Sequence, residues 1–307
     1  MATTVTAPVA NDIALASRYL PILDEIYKAG SKTSIFDAVN DRVRWEGAKI
    51  AYLYGADPVG LANYSRNSGF VPGDVDGAWT PYEITQDRGR SFLVDSMDND
   101  ETLGMAFGTL VGEFERTEVI PELDAYRFCK YAKGAADAHK DTETLETSSA
   151  VIGSIDDATE ALDDAEVPYE GRVLFVNPGI YKLIKGGITR MIENGDRDVD
   201  TNVEIYNDMR VITVPSGRFN TDVTINAPTT SDGAGGFTAA GSTINFMIVH
   251  PSAIMQVVKH AIPRIFSPAV NQEADAWKFD YRVYHDCFVK ANKRNGIYVS
   301  AASFPST

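Results

Sequence analysis

The feature that most constrains this chain is strict alternation close to its C-terminus. The apolar or weakly polar positions repeat every second residue: Trp277, Phe279, Tyr281, Val283, His285, Cys287 and Val289. Charged side chains fill most of the positions between them: Lys278, Asp280, Arg282 and Asp286. A period of two predicts a long β-strand with one buried face and one mostly wet face. Asn295 and Gly296 then predict a turn that returns the chain into a short strand at 297–299.

A second segment has helical periodicity. Leu103, Phe107, Leu110 and Phe114 are spaced as i, i+4, i+7 and i+11, which places them on one face of an α-helix. The pattern continues to about residue 139, so we predict a helix of roughly 40 residues, far longer than the average in globular proteins. Pro121 is expected to kink or restart it.

Residues 41–98 predict a long β-hairpin with a loose tip. Alternation around residues 50–54 and again at about 79–94 indicates two extended stretches, and the segment 55–77 between them is rich in Gly and Pro. A two-stranded ribbon is only marginally stable alone. We therefore expect its rings to be covered by another subunit, and the candidate contact residues are Trp45, Tyr52, Tyr54, Tyr64, Phe70, Trp79, Tyr82 and Phe92.

Residues 141–267 predict a mixed helix and strand region. Residues 141–170 contain ten Asp and Glu and no Lys or Arg. The predicted elements are a helix from an N-cap at Ser154 to Glu166, a strand at 172–176, a helix at 178–185, a strand at 209–214, a weak hairpin within 216–242 and a strand at 244–249. With the preceding ribbon and helix, this order predicts an α+β fold.

Composition excludes several classes of function. The 28 Lys and Arg against 43 Asp and Glu give a net charge of −15, so binding to nucleic acid or anionic lipid is not expected as the main activity. Cys129 and Cys287 lie too far apart in sequence for a C-x-x-C pair, and no disulfide framework is expected. No apolar run is long enough for a membrane span, and no secretory signal is seen. We therefore expect the protein to work in a reducing cytoplasm.

The sequence contains no common catalytic motif, and we predict no catalytic residue, no cofactor and no metal. An acidic run at 196–200 resembles the start of a calcium loop, but Thr201 occupies the position of the required Gly. We expect His285 to be a core histidine. The alternative reading is a cytoplasmic α/β enzyme with its site near His250, Asp208 or the 194–204 loop.

The order of these elements resembles the Hong Kong 97 fold of tailed-phage major capsid proteins. Three local segments are similar to the family: VIPELDAYRFCKYA at 119–132 to the spine helix, RVLFVNPGIYKLI at 172–184 to the axial domain, and QEADAWKFDYRVYHDCFV at 272–289 to the long strand of the peripheral domain. The resemblance implies the following division: an N-terminal arm at 1–40, an extended loop at 41–98, a peripheral domain at 99–140 and 268–307, and an axial domain at 141–267.

The resemblance also implies a function. Such proteins form pentamers and hexamers that tile an icosahedral shell around DNA, so we expect a homo-oligomer in the virion, assembled in the host cytoplasm, without specific nucleic-acid binding and without a membrane. Because no long scaffolding region precedes the arm, a separate scaffolding protein is expected, together with a portal. Some members of this family crosslink a lysine of the extended loop to an asparagine of a neighbouring subunit. Lys49 is the only lysine of residues 41–98 and therefore the only loop lysine that could form such a crosslink. The same-fold alternative is an encapsulin-type nanocompartment shell.

Overall fold

The computed structural model describes most of the chain between residues 30 and 305. The described ranges are 30–37, 43–46, 50–58, 60–64, 66–67, 69–72, 75–97, 112–187, 203–228, 235–272 and 274–305. Most of the N-terminal arm, the first half of the predicted long helix, the 196–200 acidic run and Lys49 lie outside these ranges. Among the described residues, no helix combines the length and the apolar character that crossing a bilayer requires.

The largest sheet has six strands and is covered on both faces. Its order is β5 (Lys140–Thr142), β14 (Ile297–Ala301), β11 (Ile244–Val249), β6 (Val173–Val176), β8 (Met209–Thr213) and β7 (Ile205–Tyr206). The β14–β5 and β6–β8 pairs are parallel, and the other pairs are antiparallel. All four residues of β6 are buried because alternate side chains contact opposite helical layers, which explains its continuous apolar run.

Three helices pack on this sheet. Helix α1 (Ile120–Gly134) covers one face, while α2 (Ser148–Asp164) and α3 (Pro178–Gly187) cover the other. The start predicted for α2 was wrong, because Thr147 is its N-cap and accepts a hydrogen bond from the Ala150 amide at 3.3 Å. Ser154 is instead buried within the helix, where its hydroxyl donates to Glu143. The strands predicted at 172–176, 209–214 and 244–249 are confirmed.

The long helix is interrupted next to Pro121, as predicted. Residues 112–114 are helical, Glu115–Val119 form a π-helical turn, and α1 begins at Ile120. Proline has no amide hydrogen to donate and its ring crowds the carbonyl four residues earlier, so the preceding turn widens. The helix ends at Gly134 rather than near residue 139. A Cβ on Gly134 would lie 2.4 Å from Val289, so this glycine permits the close approach of α1 to strand β13 (Ala276–Val289).

A three-stranded antiparallel sheet lies across the N-terminal half of α1 and the turn before it. Its order is β12 (Ile254–Phe266), β13 (Ala276–Val289) and β4 (Gln86–Asp95). The long alternating strand is therefore confirmed, with Phe279, Tyr281 and Val283 buried against the helix. Two details differ: Asp286 is only 1% exposed instead of wet, and β14 pairs with β11 and β5 in the six-stranded sheet, not with β13.

Strand β12 was not anticipated. Its apolar residues are interrupted by a β-bulge between Val258 and His260 and by five other side chains: Gln256, Lys259, His260, Pro263 and Arg264. Proline within a sheet is confined to edge strands or bulges, since it cannot donate to a neighbour. The edge position of β12 accommodates Pro263.

The predicted hairpin is confirmed as a ribbon that a third strand joins. Its order is β1 (Val43–Glu46), β2 (Ile50–Pro58) and β3 (Val75–Glu83), all antiparallel. The chain then leaves the ribbon, and β4 pairs with β13 instead. The weak hairpin is also confirmed, as β9 (Val223–Ile225) paired with β10 (Phe237–Ala239).

Candidate inter-subunit surface

The ribbon holds its strands in one continuous register. Nine pairs join β2 to β3, from Ile50 opposite Glu83 to Pro58 opposite Val75. Tyr54 lies opposite Trp79 in this register, and β1 places Trp45 opposite Ala51. At about 3.3 Å per residue, nine residues extend roughly 30 Å. The loop that joins β2 to β3 therefore lies roughly that far from the point where the ribbon meets the rest of the chain.

The far end of the ribbon exposes a cluster of large apolar side chains. We name residues 60–72 the ribbon tip. Leu61 is 108% exposed, Tyr64 60%, Phe70 87% and Val71 60%. The rings of Tyr64 and Phe70 contact each other with centroids 4.9 Å apart. Exposed apolar clusters of this kind mark interaction sites, so the tip has the properties of a contact surface.

The base of the ribbon is packed firmly against the remainder of the chain. Ile84 is buried with Met255 and Val257, and the ring of Tyr82 packs on Phe288 with centroids 5.1 Å apart. An apolar cluster of this kind fixes the direction in which the ribbon leaves the subunit.

A buried carboxylate reinforces this junction. Asp286 accepts hydrogen bonds from the Thr85 amide at 2.8 Å, the Thr85 hydroxyl at 2.9 Å, the Tyr126 hydroxyl at 2.8 Å and the Cys287 amide at 2.8 Å. It thus joins the end of the ribbon to α1 and β13. Burial raises the pKa of Tyr126 well above its usual value, and the neighbouring Asp286 adds to this shift, so the hydroxyl stays protonated and able to donate.

The segment just before the ribbon is also held in the core. Asp124 is fully buried and accepts hydrogen bonds from the hydroxyls of Ser31 and Thr33, each at 2.8 Å, and from the amide of Lys32 at 3.0 Å. The guanidinium of Arg127, itself fully buried, donates to the Thr33 hydroxyl at 2.9 Å. Residues 31–33 are therefore tied to α1 by charged groups. Sequence reasoning missed this network because its partners lie more than 90 positions apart.

The sequence matches no family model and no curated protein, but solved structures share its fold. A capsid chain of Cyanophage P-SCSP1u has a TM-score of 0.59 and 12% identity, covering 86% of both chains. A mature-capsid chain of bacteriophage PhiM1 has a TM-score of 0.55 and 12% identity, over 83% of this chain and 82% of that one. A chain of Mycobacterium phage Che8 has a TM-score of 0.53 and 14% identity, over 82% and 84%.

This is a phage capsid fold. At such low identity the likeness concerns the fold and supplies no residue-by-residue correspondence.

Within this capsid fold, the eight candidate contact residues fall into three groups. Trp79 is 47% exposed, and with Tyr64 and Phe70 it belongs to the outward part of the ribbon. Tyr82 and Phe92 pack within their own chain, Tyr82 at the ribbon base and Phe92 stacked on Phe279 with centroids 6.4 Å apart. The remaining three lie on ribbon strands: Trp45 on β1 and Tyr52 and Tyr54 on β2. Of these, only the Tyr52 side chain is among those described, and it is partly buried.

The histidines considered at the sequence level occupy different environments. His285 is buried as predicted, and burial lowers its pKa to about 3, with Arg127 and Arg88 adding to the shift. His250 is partly buried at the end of β11, where its Nδ1 lies 2.7 Å from the Ser252 hydroxyl and its Nε2 lies 3.1 Å from the Glu170 carbonyl. Burial lowers its pKa as well. His250 thus links two backbone segments, as a structural residue does.

Among the described residues, Asp208 forms no catalytic site, and most of the 194–204 loop lies outside the described ranges. Asp208 lies with Asn207 in a turn between β7 and β8, both at positive φ. Asn207 and Tyr206 donate to Asp156 at 3.1 and 3.0 Å, which fixes the turn against α2. Within the described part of the chain, no group of three or more His, Cys, Asp or Glu could hold a metal ion.

Proposed function

We propose that this chain is the major capsid protein of a tailed phage with the Hong Kong 97 fold. In this proposal it assembles into pentamers and hexamers of an icosahedral head that encloses DNA, and it resides in the virion after assembly in the host cytoplasm. The observation that carries the proposal is the likeness to five phage chains, two of them described as capsid chains, over 81–87% of the sequence. Because the likeness extends over so much of the chain, it applies to the whole subunit and not to one part of it.

The exposed ribbon supports an assembly role independently of the likeness. Burying an apolar side chain such as those of the tip stabilises by roughly 1.5–3 kcal/mol. Four of them give a gross gain on the order of 10 kcal/mol per subunit, and loss of translational and rotational freedom removes much of it. Contacts that are individually weak but repeated around a closed shell permit incorrect subunits to dissociate. The ribbon tip therefore suits a protein that assembles with many copies of itself.

The charge distribution supports the proposed relation to DNA. Helix α2 exposes a row of carboxylates: Asp156, Asp157, Glu160, Asp163 and Asp164. A surface of this sign repels phosphate, so a shell that carries it can enclose a genome without binding it. We keep the division into arm, extended loop, peripheral domain and axial domain as part of this proposal. A separate scaffolding protein and a portal are the partners that it requires.

Electron microscopy of purified protein tests the proposal. The wild-type chain, alone or with a scaffolding protein, is expected to form particles tens of nanometres across in negative stain. Replacing Tyr52 and Trp79 by Ser should abolish the particles and leave a folded, soluble subunit. Persistent monomers or small dimers of the wild type over a range of salt and pH would overturn the proposal.

A matched pair of valines separates a tip effect from a general surface effect. Val71 is 60% exposed in the ribbon tip and Val270 is 49% exposed after β12. Val71→Ser should weaken assembly, whereas Val270→Ser should leave it unchanged. Nuclease treatment of particles from infected cells then identifies the contents: protected DNA is expected, and a protein cargo without DNA would indicate a nanocompartment shell.

A further inference from the structure

A groove lies between the three-stranded sheet and the helix that crosses it. Its volume is about 420 Å³, within the range of roughly 300–1,000 Å³ in which proteins bind small molecules. Three rings from separate elements form what we name the aromatic wall: Phe92, Phe114 and Tyr281. The Phe92 and Phe114 centroids lie 4.8 Å apart, and those of Phe114 and Tyr281 lie 6.0 Å apart. The three rings already contact one another within one subunit, so the wall is preformed for a flat aromatic ligand.

A buried histidine lines the same groove and lacks a hydrogen bond. His285 is 2% exposed, and among the described residues its Nδ1 has no hydrogen-bond partner. Leaving a buried polar atom unpaired is costly, so such an atom in a cavity wall indicates a ligand with a hydrogen-bonding group. The Nδ1 of a neutral imidazole donates in one tautomer and accepts in the other, and a hydroxyl group can pair with either. The buried part of the groove therefore fits a ring that carries a hydroxyl group, which is a phenol.

The rim of the groove carries an unpaired negative charge. Glu122 forms an ion pair with Arg88 at 2.7 Å, and Glu113 forms one with Arg116 at the same distance. Glu118 is exposed at the rim and, within the described ranges, has no arginine or lysine partner. A carboxylate in this state attracts a cation and repels an anion. The rim therefore favours a ligand whose outer end is an ammonium group.

The backbone on both sides of Glu118 leaves this carboxylate accessible. On the helix side, Glu118 belongs to the π-helical turn Glu115–Val119, and such turns often occur at functional sites. On the opposite side, Gly236 has a φ of 76°, a conformation that favours glycine. A Cβ on Gly236 would lie 3.4 Å from Oε2 of Glu118, so the loop approaches the carboxylate without a side chain. The space beside Glu118 is therefore left for a group from outside the chain.

We propose that this groove binds a small phenolic amine, a molecule with an aromatic ring, a hydroxyl group at one end and an ammonium group at the other. The ring packs on the aromatic wall, the hydroxyl forms a hydrogen bond with Nδ1 of His285, and the ammonium group lies beside Glu118. Such a ligand contacts β4, β13 and the π-helical turn together. Binding therefore stabilises the folded subunit, because the unfolded chain does not hold these elements together. The site does not depend on the proposed capsid function.

Calorimetric titration of the full-length, unassembled subunit with tyramine tests the site. Phenethylamine, which lacks the hydroxyl, should bind about tenfold more weakly if the hydrogen bond is formed in a buried position. The second comparison ligand, 4-ethylphenol, lacks the ammonium group and should bind severalfold more weakly, since Glu118 is exposed and its ion pair is screened. No binding of tyramine at millimolar concentration would overturn the proposal. Equal affinities for the three ligands would overturn the roles of His285 and Glu118.

Substitutions in the protein locate the two ends of the ligand. Glu118→Gln should weaken tyramine severalfold and leave 4-ethylphenol unchanged, because only the first carries a charge. Glu160→Gln, at an exposed glutamate of α2, is the matched control and should change neither. His285→Leu should remove the difference in affinity between tyramine and phenethylamine, with circular dichroism as the check that the variant folds. Equal losses of tyramine affinity in E118Q and E160Q would overturn the placement of the ammonium group.

Thermal unfolding gives a second readout of the same site. Saturating tyramine should raise the unfolding midpoint of the wild-type subunit and of E160Q, and should raise that of E118Q less at the same concentration. An equal shift in all three proteins would overturn the site. Because these measurements use unassembled subunits, failure of tyramine to bind leaves the capsid function standing. Failure of the wild type to form particles would overturn the capsid function and leave the binding site standing.

Discussion

The six-stranded sheet and the ribbon tip use apolar residues for opposite purposes. In the sheet, Phe175 and Phe246 have no exposed surface, since α1 covers one face and α2 and α3 cover the other. In the tip, Phe70 keeps 87% of its surface exposed. Apolar surface is therefore fully buried in the sheet, where it stabilises the subunit, and is largely exposed in the tip. A subunit of this kind buries cores of its own and still has apolar surface available for association.

The ribbon base separates these two regions physically. Ile84 packs into a small core of its own, and the buried Asp286 carboxylate joins Thr85 to α1. Changes in the tip are therefore expected to alter association without altering folding, and changes in the sheet to alter both. The four predictions below test that separation, from the largest effect on the free energy of unfolding to the smallest.

The largest contrast is expected between two phenylalanines. Phe175→Ala removes a fully buried ring and should lower the free energy of unfolding by about 3–5 kcal/mol. Phe70→Ala should change it by no more than about 0.5 kcal/mol, because the ring is already exposed. Urea denaturation of the unassembled subunits measures both. Comparable losses from the two substitutions would break the comparison.

The next effect concerns the junction. Asp286→Asn replaces a carboxylate that accepts four hydrogen bonds by an amide with a single acceptor oxygen, so buried donors are left unpaired. We expect a loss of about 1–3 kcal/mol and faster proteolysis near Thr85. Asp275→Asn is the control: Asp275 is exposed and accepts one side-chain hydrogen bond, from Ser96 at 3.0 Å. If the junction of D286N resists protease as well as that of wild type, the apolar cluster of Ile84, Met255 and Val257 alone holds the ribbon in place.

Acid should destabilise the subunit through His285. Its pKa is lowered to about 3 in the folded chain, so below about pH 6.5 the unfolded chain binds a proton that the folded chain does not. The stability that neutral His285 confers is complete above that pH. It is lost as the pH falls toward 3, at about 1.4 kcal/mol per pH unit. His285→Leu should flatten the profile of unfolding free energy between pH 6 and 4, and a profile as steep as wild type would assign the acid sensitivity to carboxylates.

The smallest effect on folding should come from a single hydroxyl. Tyr64→Phe leaves the exposed ring in place, so the free energy of unfolding should stay within about 0.5 kcal/mol of wild type. The concentration needed for assembly should rise severalfold, because Tyr64 lies in the exposed ribbon tip that the proposed assembly buries between subunits, where its hydroxyl contributes a hydrogen bond. Tyr169→Phe, at a tyrosine 43% exposed outside the ribbon, should leave assembly unchanged. Light scattering during assembly distinguishes the two variants.

Periodicity was sufficient for some elements of this fold and insufficient for others. Strands β6 and β13 could be predicted because their patterns depend only on neighbouring residues. Strand β12 could not, because Lys259, His260 and Pro263 hide its alternation and only its edge position makes the proline tolerable. Local patterns also misplaced the start of α2, since Thr147 and Ser154 are both acceptable N-caps and tertiary packing decides between them.

The candidate surface could be predicted only in part for a related reason. A list of rings in residues 41–98 includes the exposed Phe70 and equally Phe92, which packs on Phe279 of its own chain. Sequence does not reveal that the chain leaves the ribbon at Thr85 and enters another sheet. The hydrogen-bond networks of the buried Asp124 and Asp286 also could not be predicted from the sequence, because their partners lie about 90 to 200 positions away.

The ribbon is attached to the rest of the subunit only at its base, so a small rotation of the subunit moves the tip by a larger distance. Its tip lies roughly 30 Å from Thr85, so a rotation of the subunit by about 5° displaces the tip by roughly 2–3 Å. That distance is comparable to the length of one hydrogen bond. In a shell whose subunits meet at more than one angle, small tilts of the body thus become large shifts at the point of contact. The stiffness of the Asp286 junction would then set how sharply the shell can curve.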